Sequence, residues 1–129
     1  MPKTDFLDDP NAPKPNSLVV GVTAFVQDDA GRVLLIERSD NGQWALPGGG
    51  QELGESTPAA AVRETLEETG IEVEVAGLVG IYSHPGHIVA YDDGEVRQEF
   101  SICFRARQVG GRLRTSDESA RVQWVEPAA

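Results

Sequence analysis

The sequence is short of several things, and each shortage closes off a class of function. It holds a single cysteine, Cys103, in 129 residues, so no internal disulfide can form, which favours a reducing setting. Lysine and arginine number 11 against 21 aspartates and glutamates, a formal charge of −10. So acidic a chain offers no basic track to a nucleic-acid backbone and is ill suited to an anionic membrane. An anionic small ligand is compatible with it only where something locally positive receives that ligand. No apolar run approaches the roughly 20 residues of a membrane span, and the N-terminal MPKTDFLDDP lacks the basic flank and apolar core of a signal peptide. No internal repeat is present. The expectation is a soluble, cytoplasmic protein of one domain, since 129 residues are enough for one and too few for two.

What is present is a pattern of strands around one helix. Residues 1–17 carry four of the eight prolines (Pro2, Pro10, Pro13, Pro15) and read as an extended arm, either a disordered tail or an arm laid on a neighbouring subunit. Residues 18–129 make up the single domain. Leu18–Val26 is rich in branched residues and predicts a buried strand; Asp28–Gly31 is a turn, and Arg32–Arg38 returns as the second strand of a hairpin. Trp44–Leu46 is a short apolar stretch that stops at Pro47-Gly48-Gly49-Gly50, where no regular element is expected to continue. Glu72–Tyr82, Ile88–Tyr91, Val96–Ala106 and Arg121–Val125 are strand-like, and Gly110-Gly111 marks a turn. Many strands around one or two helices indicate an α+β or mixed-sheet sandwich.

The helix is predicted over Pro58–Thr69, with Thr57 as N-cap, Pro58 at its first position and Gly70 as its stop. Ala59, Val62 and Leu66 line one side, while Glu64, Glu67 and Glu68, spaced i, i+3, i+4, cluster on another. Like charges at that spacing destabilise a helix, and only Arg63 is near in sequence to offset them. A solvated acidic face would account for the pattern in a generic helix. Here, however, the glutamates follow a glycine-rich turn that allows close approach of a ligand, and Glu52 and Glu55 raise the carboxylates of residues 49–71 to five against one arginine. Hard oxygen donors concentrated on a rigid element suit Mg²⁺ or Mn²⁺, which often bridge to substrate phosphates.

Gly49, five residues, Glu55, seven residues, then Arg63-Glu64-Thr65-Leu66-Glu67-Glu68-Thr69-Gly70-Ile71 resembles the signature box of the Nudix hydrolase family, and Trp44–Gly49 resembles the family's run into that box. Thr65 departs from it, standing where the family usually has a larger aliphatic residue; a local packing adjustment is the expected consequence. The resemblance implies the Nudix fold, an α/β/α sandwich with a mixed sheet, and a hydrolase acting on a nucleoside diphosphate linked to another group. Carried over by position, Glu64, Glu67 and Glu68 would hold the divalent cation, with the Gly48 carbonyl as an additional ligand. Glu55 and Arg63 would brace loop against helix, alongside the box glycines Gly49 and Gly70. A later-loop carboxylate is also implied, for which Glu118 is the candidate, with Asp117 and Glu99 in reserve. Bound cations would neutralise the pyrophosphate oxygens and acidify a water, whose proton a carboxylate takes; Glu64 is proposed as that base and Glu118 competes for the role.

The remaining candidates each have a plainer reading. Arg38 could hold a substrate phosphate bidentately, or pair on the surface with Asp40 or Glu37. Trp44 could stack on a base or simply pack. His84 and His87 make a poor zinc site; His84 is weighed as a substrate-loop residue against a solvent-exposed one. Pro85 lies near, though one residue short of, the place where family members that cleave ADP-ribose carry a proline. Cys103 reads as core. The family fold normally continues into another helix after the last strand; the chain stops at Ala129, which points to a truncated sequence or a sheet face covered by a second subunit, hence a homodimer. Among substrates, ADP-ribose or a nucleotide-sugar leads, (d)NTP clean-up follows, and long RNA is disfavoured by the charge. The rival from another class is a nucleotide-sensing module that binds without turnover, against which the intact glutamate set argues.

Overall fold

Alternation of branched and polar residues sets the strands that frame the site. The structure, a computed structural model, describes residues 3–127. These run β1 (Lys3–Leu7), β2 (Ser17–Gln27), β3 (Val33–Arg38), β4 (Trp44–Ala45), β5 (Gly48–Gly50), α1 (Thr57–Thr69), β6 (Ile71–Tyr82), β7 (His87–Tyr91), β8 (Val96–Gly111) and β9 (Ser119–Val125). The strands lie in the order β1-β7-β8-β2-β3-β4, with β5 also on β2, β6 on β8 and β9 on β3. The sheet is mixed: β2 pairs with β8 in parallel along its whole length, and every other pairing is antiparallel. This is the expected α+β architecture, with one helical layer among the described residues. No described helix is long and apolar enough to cross a membrane.

Two packed clusters fix the helix to the sheet. Ala24, Val26, Leu34, Ile71, Val73 and Ala106 form one, and Val22, Ala60, Ala61 and Phe104 the other. Leu34 is wholly buried, so truncating it to alanine would cost about 2–5 kcal/mol. Cys103 is buried in the sheet.

The sequence reading is corrected at four places. The β2–β3 hairpin consists of one pair, Gln27 with Val33; β2 gives its edges to β8 and β5 instead. A near-continuous apolar run such as Leu18–Val26 is what a central parallel strand requires. Second, Gly48–Gly50 is a strand, pairing Gly48, Gly49 and Gly50 with Thr23, Val22 and Gly21. Glycine is permitted in extended backbone, and the lack of a side chain lets this strand fit between β2 and α1. Third, β8 continues through Gly110 to Gly111, where a positive φ of 86° ends it. Fourth, part of the proline-rich arm is ordered on its own chain, since β1 pairs with β7 from Lys3↔Tyr91 to Leu7↔His87. Asp8 then turns at φ 51°, its N–H donating to the Gly86 carbonyl at 2.9 Å.

Candidate metal centre and active site

The site begins with how α1 is held. Ser56, one residue before the expected Thr57, caps it by accepting the Ala59 N–H at 3.2 Å, and Gly70 ends it with φ 77°, a left-handed turn that favours glycine. The buried face is Ala60, Ala61, Thr65, Glu68 and Thr69. The expected apolar stripe fails here, because Ala59 and Leu66 are exposed and only Val62 of the three packs against the core. The small residues Ala60 and Ala61 let the helix sit close on the sheet. Thr65 fits beneath it, its hydroxyl donating to the Ala61 carbonyl at 2.7 Å, and Thr69 donates likewise to Thr65. That rotation carries Glu68 into the interface.

Arg63 occupies the middle of the loop–helix junction. Its guanidinium reaches both oxygens of Glu55, at 2.7 and 2.9 Å, and the Gly50 carbonyl at 3.0 Å. The remaining nitrogen donates to Glu64 at 2.9 Å and Glu67 at 3.2 Å. The fork of five donors is what allows one cation to satisfy this many acceptors. The guanidinium in turn holds the Glu55 carboxyl below its usual range, assisted by the Glu52 backbone N–H.

One carboxylate oxygen from each of Glu64, Glu68 and Glu118 lies within 4.8 Å of the others. They line a cleft of about 230 Å³ together with Glu67, Ser116 and Asp117. Glu68 is 4% exposed, and its Oε2 accepts the Gly48 N–H at 3.4 Å. Burial, and then the neighbouring Glu64, pushes its pKa up to about 8. Burial also raises Glu64, against the pull of Arg63. Glu67 stands apart from the three, mostly exposed and paired with Arg63. Gly49 lies directly under Glu64, and Gly48 is enclosed by β2 so that no Cβ fits.

Sequence reasoning missed the device that brings Glu118 to the helix. The last turn of α1 leaves carbonyls without intrahelical partners, and residues 112–119 satisfy them. Arg112 N–H donates to Gly70 at 3.1 Å, Arg114 N–H to Thr69 at 2.8 Å and the buried Ser119 hydroxyl to Glu68 at 2.6 Å. Ser116 and Ser119, three residues apart, also bond to each other around Asp117-Glu118, a spacing that could have signalled the turn. Ser39 closes the loop from the other side, its N–H donating to the Glu118 carbonyl and its hydroxyl to that of Asp117.

The other candidates are placed elsewhere or engaged otherwise. Arg38 donates to both Asp40 oxygens, at 3.0 and 2.6 Å, though its guanidinium is close enough to feel Glu68 and Asp5. Trp44 is 39% exposed, with the Arg121 guanidinium 5.3 Å above its ring. His84 is not brought to the carboxylates: its Nε2 lies 2.9 Å from Asp8, beside the groove between the arm and Pro85–Gly86. Glu99 is half-buried on β8, outside the carboxylate cluster.

Comparison with known proteins shows the family and the fold. The NUDIX domain family model matches residues 17–129; the chain belongs to the Nudix hydrolase family. It is 42% identical over 108 residues to a MutT-like protein of Streptomyces ambofaciens, covering 84% of this chain and 64% of that one. An ADP-ribose pyrophosphatase of Methanocaldococcus jannaschii is 35% identical, with 83% and 61% covered, and a putative 8-oxo-dGTP diphosphatase of Bacillus subtilis 33% identical, with 83% and 66% covered. The chain thus spans under two thirds of the length of these relatives. Among solved structures, a MutT protein from Methanosarcina mazei superposes with a TM-score of 0.68 at 28% identity, covering 88% of this chain and 78% of that one. A UDP-X diphosphatase gives the same TM-score at 21% identity, covering 91% and 54%, and speaks to the fold alone.

Proposed function

We propose that the protein is a divalent-cation-dependent pyrophosphohydrolase that cleaves a nucleoside diphosphate linked to another moiety. The observation that carries this reading is the convergence of Glu64, Glu68 and Glu118 on one cleft. A buried carboxylate with no ion pair among the described residues, such as Glu68, is costly when ionised, and a hard divalent ion is the partner that oxygen-only donors of this kind suit. Glu64, Glu68 and Glu118 would hold Mg²⁺ or Mn²⁺, with Glu67 and the Gly48 carbonyl at its margin. When bound, such a cation offsets the charge of the diphosphate and favours ionisation of the attacking water.

The chain's own residues supply the rest. Arg63 fixes the Glu64 carboxylate through one oxygen while tying the lead-in loop to the helix, so the donors are oriented before substrate arrives. Glu64 takes the water's proton; Glu118, exposed and free of any ion pair among the described residues, is the competing base. ADP-ribose or a nucleotide-sugar is the favoured substrate and an oxidised (d)NTP the next, a choice supported by relatives named for each. The test is a nucleotide panel with and without Mg²⁺, on the wild type and on Glu68→Gln. Mg²⁺-dependent product from the wild type, nearly abolished in a folded E68Q, is expected. Unchanged turnover in E68Q would sink the metal assignment, and binding without any product would favour a nucleotide-sensing module.

A further inference from the structure

Glu99 stands on a bare shelf on the face of the sheet away from α1, and this shelf meets the carboxylates at its Gly48 end, where the Gly48 N–H donates to Glu68. The parallel register sets Val19 beside Glu99 and Gly21 beside Ser101, and the antiparallel register sets Gly21 opposite Gly50. Residues so matched share one face of the sheet, so Glu99, Gly21 and Gly50 look out on the same side. Neither glycine puts a side chain there. A Cβ on Gly50 would meet nothing within 4 Å, and the nearest side-chain atom to a Cβ on Gly21 would be Glu99 Oε1 at 3.4 Å. Two residues along β5, the Gly48 N–H donates to Glu68. The shelf therefore runs about 7 Å along β5 and one strand spacing of about 4.8 Å across it, the reach of a nucleoside from its phosphates to its base.

The electrostatics of this shelf favour a donor-bearing ligand. Glu95, nearby on the approach to β8, is fully engaged by Arg97 and Ser17. Half-buried Glu99, by contrast, has no hydrogen-bond donor and no cation among the described residues. Tyr91, its ring under the Arg97 guanidinium at 4.7 Å, is held above its usual range first by burial, then by Glu99, Glu95 and Asp5, against the pull of Arg97. A partly desolvated carboxylate without a partner is costly, and N–H groups of a ligand would recover that cost, whereas a carbonyl in the same place would meet it lone pair to lone pair.

We propose that Glu99 reads the base: its carboxylate accepts the exocyclic amino N–H of a purine seated on the Gly21–Gly50 shelf, and so selects amino-bearing nucleotides over their inosine counterparts. This rests on the hydrolase reading of the neighbouring cleft. The test compares ADP-ribose with inosine diphosphate ribose, and dGTP with dITP, on the wild type, Glu99→Ala and Glu99→Gln, with folding checked by thermal melts. The wild type should favour the amino member of one pair by at least about tenfold in kcat/KM, the worth of one hydrogen bond to a charged group; which pair shows it separates an adenine from a guanine substrate. In E99A the preference should collapse through KM, with kcat kept. In E99Q, whose amide both donates and accepts, it should shrink as well. A preference that survives both substitutions overturns the proposal. So does an equal loss of kcat on both members with weaker Mn²⁺ binding, which would make Glu99 a metal ligand. Calorimetric binding of AMP and IMP, and of dGMP and dIMP, separates this inference from the activity. An amino preference that depends on Glu99 without hydrolysis of any compound would overturn the hydrolase reading alone. Hydrolysis with a preference indifferent to Glu99 would overturn the inference alone.

Discussion

Gly49 on β5 and Glu64 on α1 are in such close approach that a Cβ at position 49 would lie 2.5 Å from the Glu64 carboxyl carbon. Real contacts of that kind do not occur, so any side chain there must displace the carboxylate. Gly49 has no positive φ, so the conflict with alanine is one of space alone and is relieved by moving the Glu64 carboxylate. Gly49→Ala is expected to fold, with Mg²⁺ affinity and kcat/KM each reduced by about tenfold or more as Glu64 is moved out of position. Gly50→Ala, whose Cβ meets nothing within 4 Å, should melt at the wild-type temperature. Titration of Mg²⁺ by calorimetry and thermal melts of both variants check this pair.

Glu68 makes stability depend on pH in an unusual direction. Its pKa is raised from the ordinary 4.5 to about 8 in the metal-free protein, chiefly by burial. Between those values the folded protein keeps a proton that the unfolded chain has released, so stability falls as pH rises through the window. The effect is on the order of a few kcal/mol. Metal-free protein should thus melt at a lower temperature at pH 8 than at pH 5.5. Mg²⁺ should raise the melting temperature, more so at pH 8, where about half of the Glu68 carboxyls are already ionised, than at pH 5.5, where a proton must be displaced. Glu68→Gln, neutral throughout, should flatten the dependence and remove the Mg²⁺ effect. Melts across pH with EDTA or Mg²⁺ measure it.

The same residue shows where sequence was legible and where it was not. Most strand and helix spans follow from local periodicity and from stops such as Gly70, and these emerge within a residue or two of their observed bounds, whereas β8 runs five residues past the expected Ala106 to Gly111. The box residues are contiguous in sequence, so their grouping could be read directly. Partnership between distant segments could not. Nothing in Gly48–Gly50 announces a strand, because its pairing with β2 is decided by the space that α1 leaves. The helix face was misjudged because hydrophobicity favours Leu66, whereas close packing favours Ala60, Ala61 and Thr65 and turns Glu68 inward. Likewise β1 is specified by the open edge of β7, not by its own composition.

Arg63 is the one cation among five glutamates of the box, and its arrangement needs a planar fork. Lysine at 63 keeps the charge but can reach Glu55 at only one point. Arg63→Lys should therefore lower the urea midpoint and reduce kcat/KM by about tenfold or more, through loosening of the loop that precedes α1. Charge conservation alone would leave both unchanged. Urea titration beside steady-state kinetics distinguishes the two outcomes.

Ser119 links the end of α1 to the loop that carries Glu118. Its hydroxyl is wholly buried and donates to the Glu68 carbonyl at 2.6 Å, a group that the helix itself cannot satisfy. Removing the hydroxyl leaves that carbonyl buried without a donor, at a cost of about 1–3 kcal/mol, and removes the hydroxyl–hydroxyl bond to Ser116. Ser119→Ala should accordingly be destabilised by that amount in urea unfolding. It should also lose activity through kcat and Mg²⁺ affinity, because Glu118 is no longer held against Glu64 and Glu68. Ser119→Thr keeps the hydroxyl and tests whether the bond or the space matters: recovery of Mg²⁺ affinity in the threonine variant would show the bond to be what positions Glu118. A Ser119→Ala protein with wild-type Mg²⁺ affinity would show that the Ser39 contacts and the backbone bonds of residues 112–119 suffice to hold the loop.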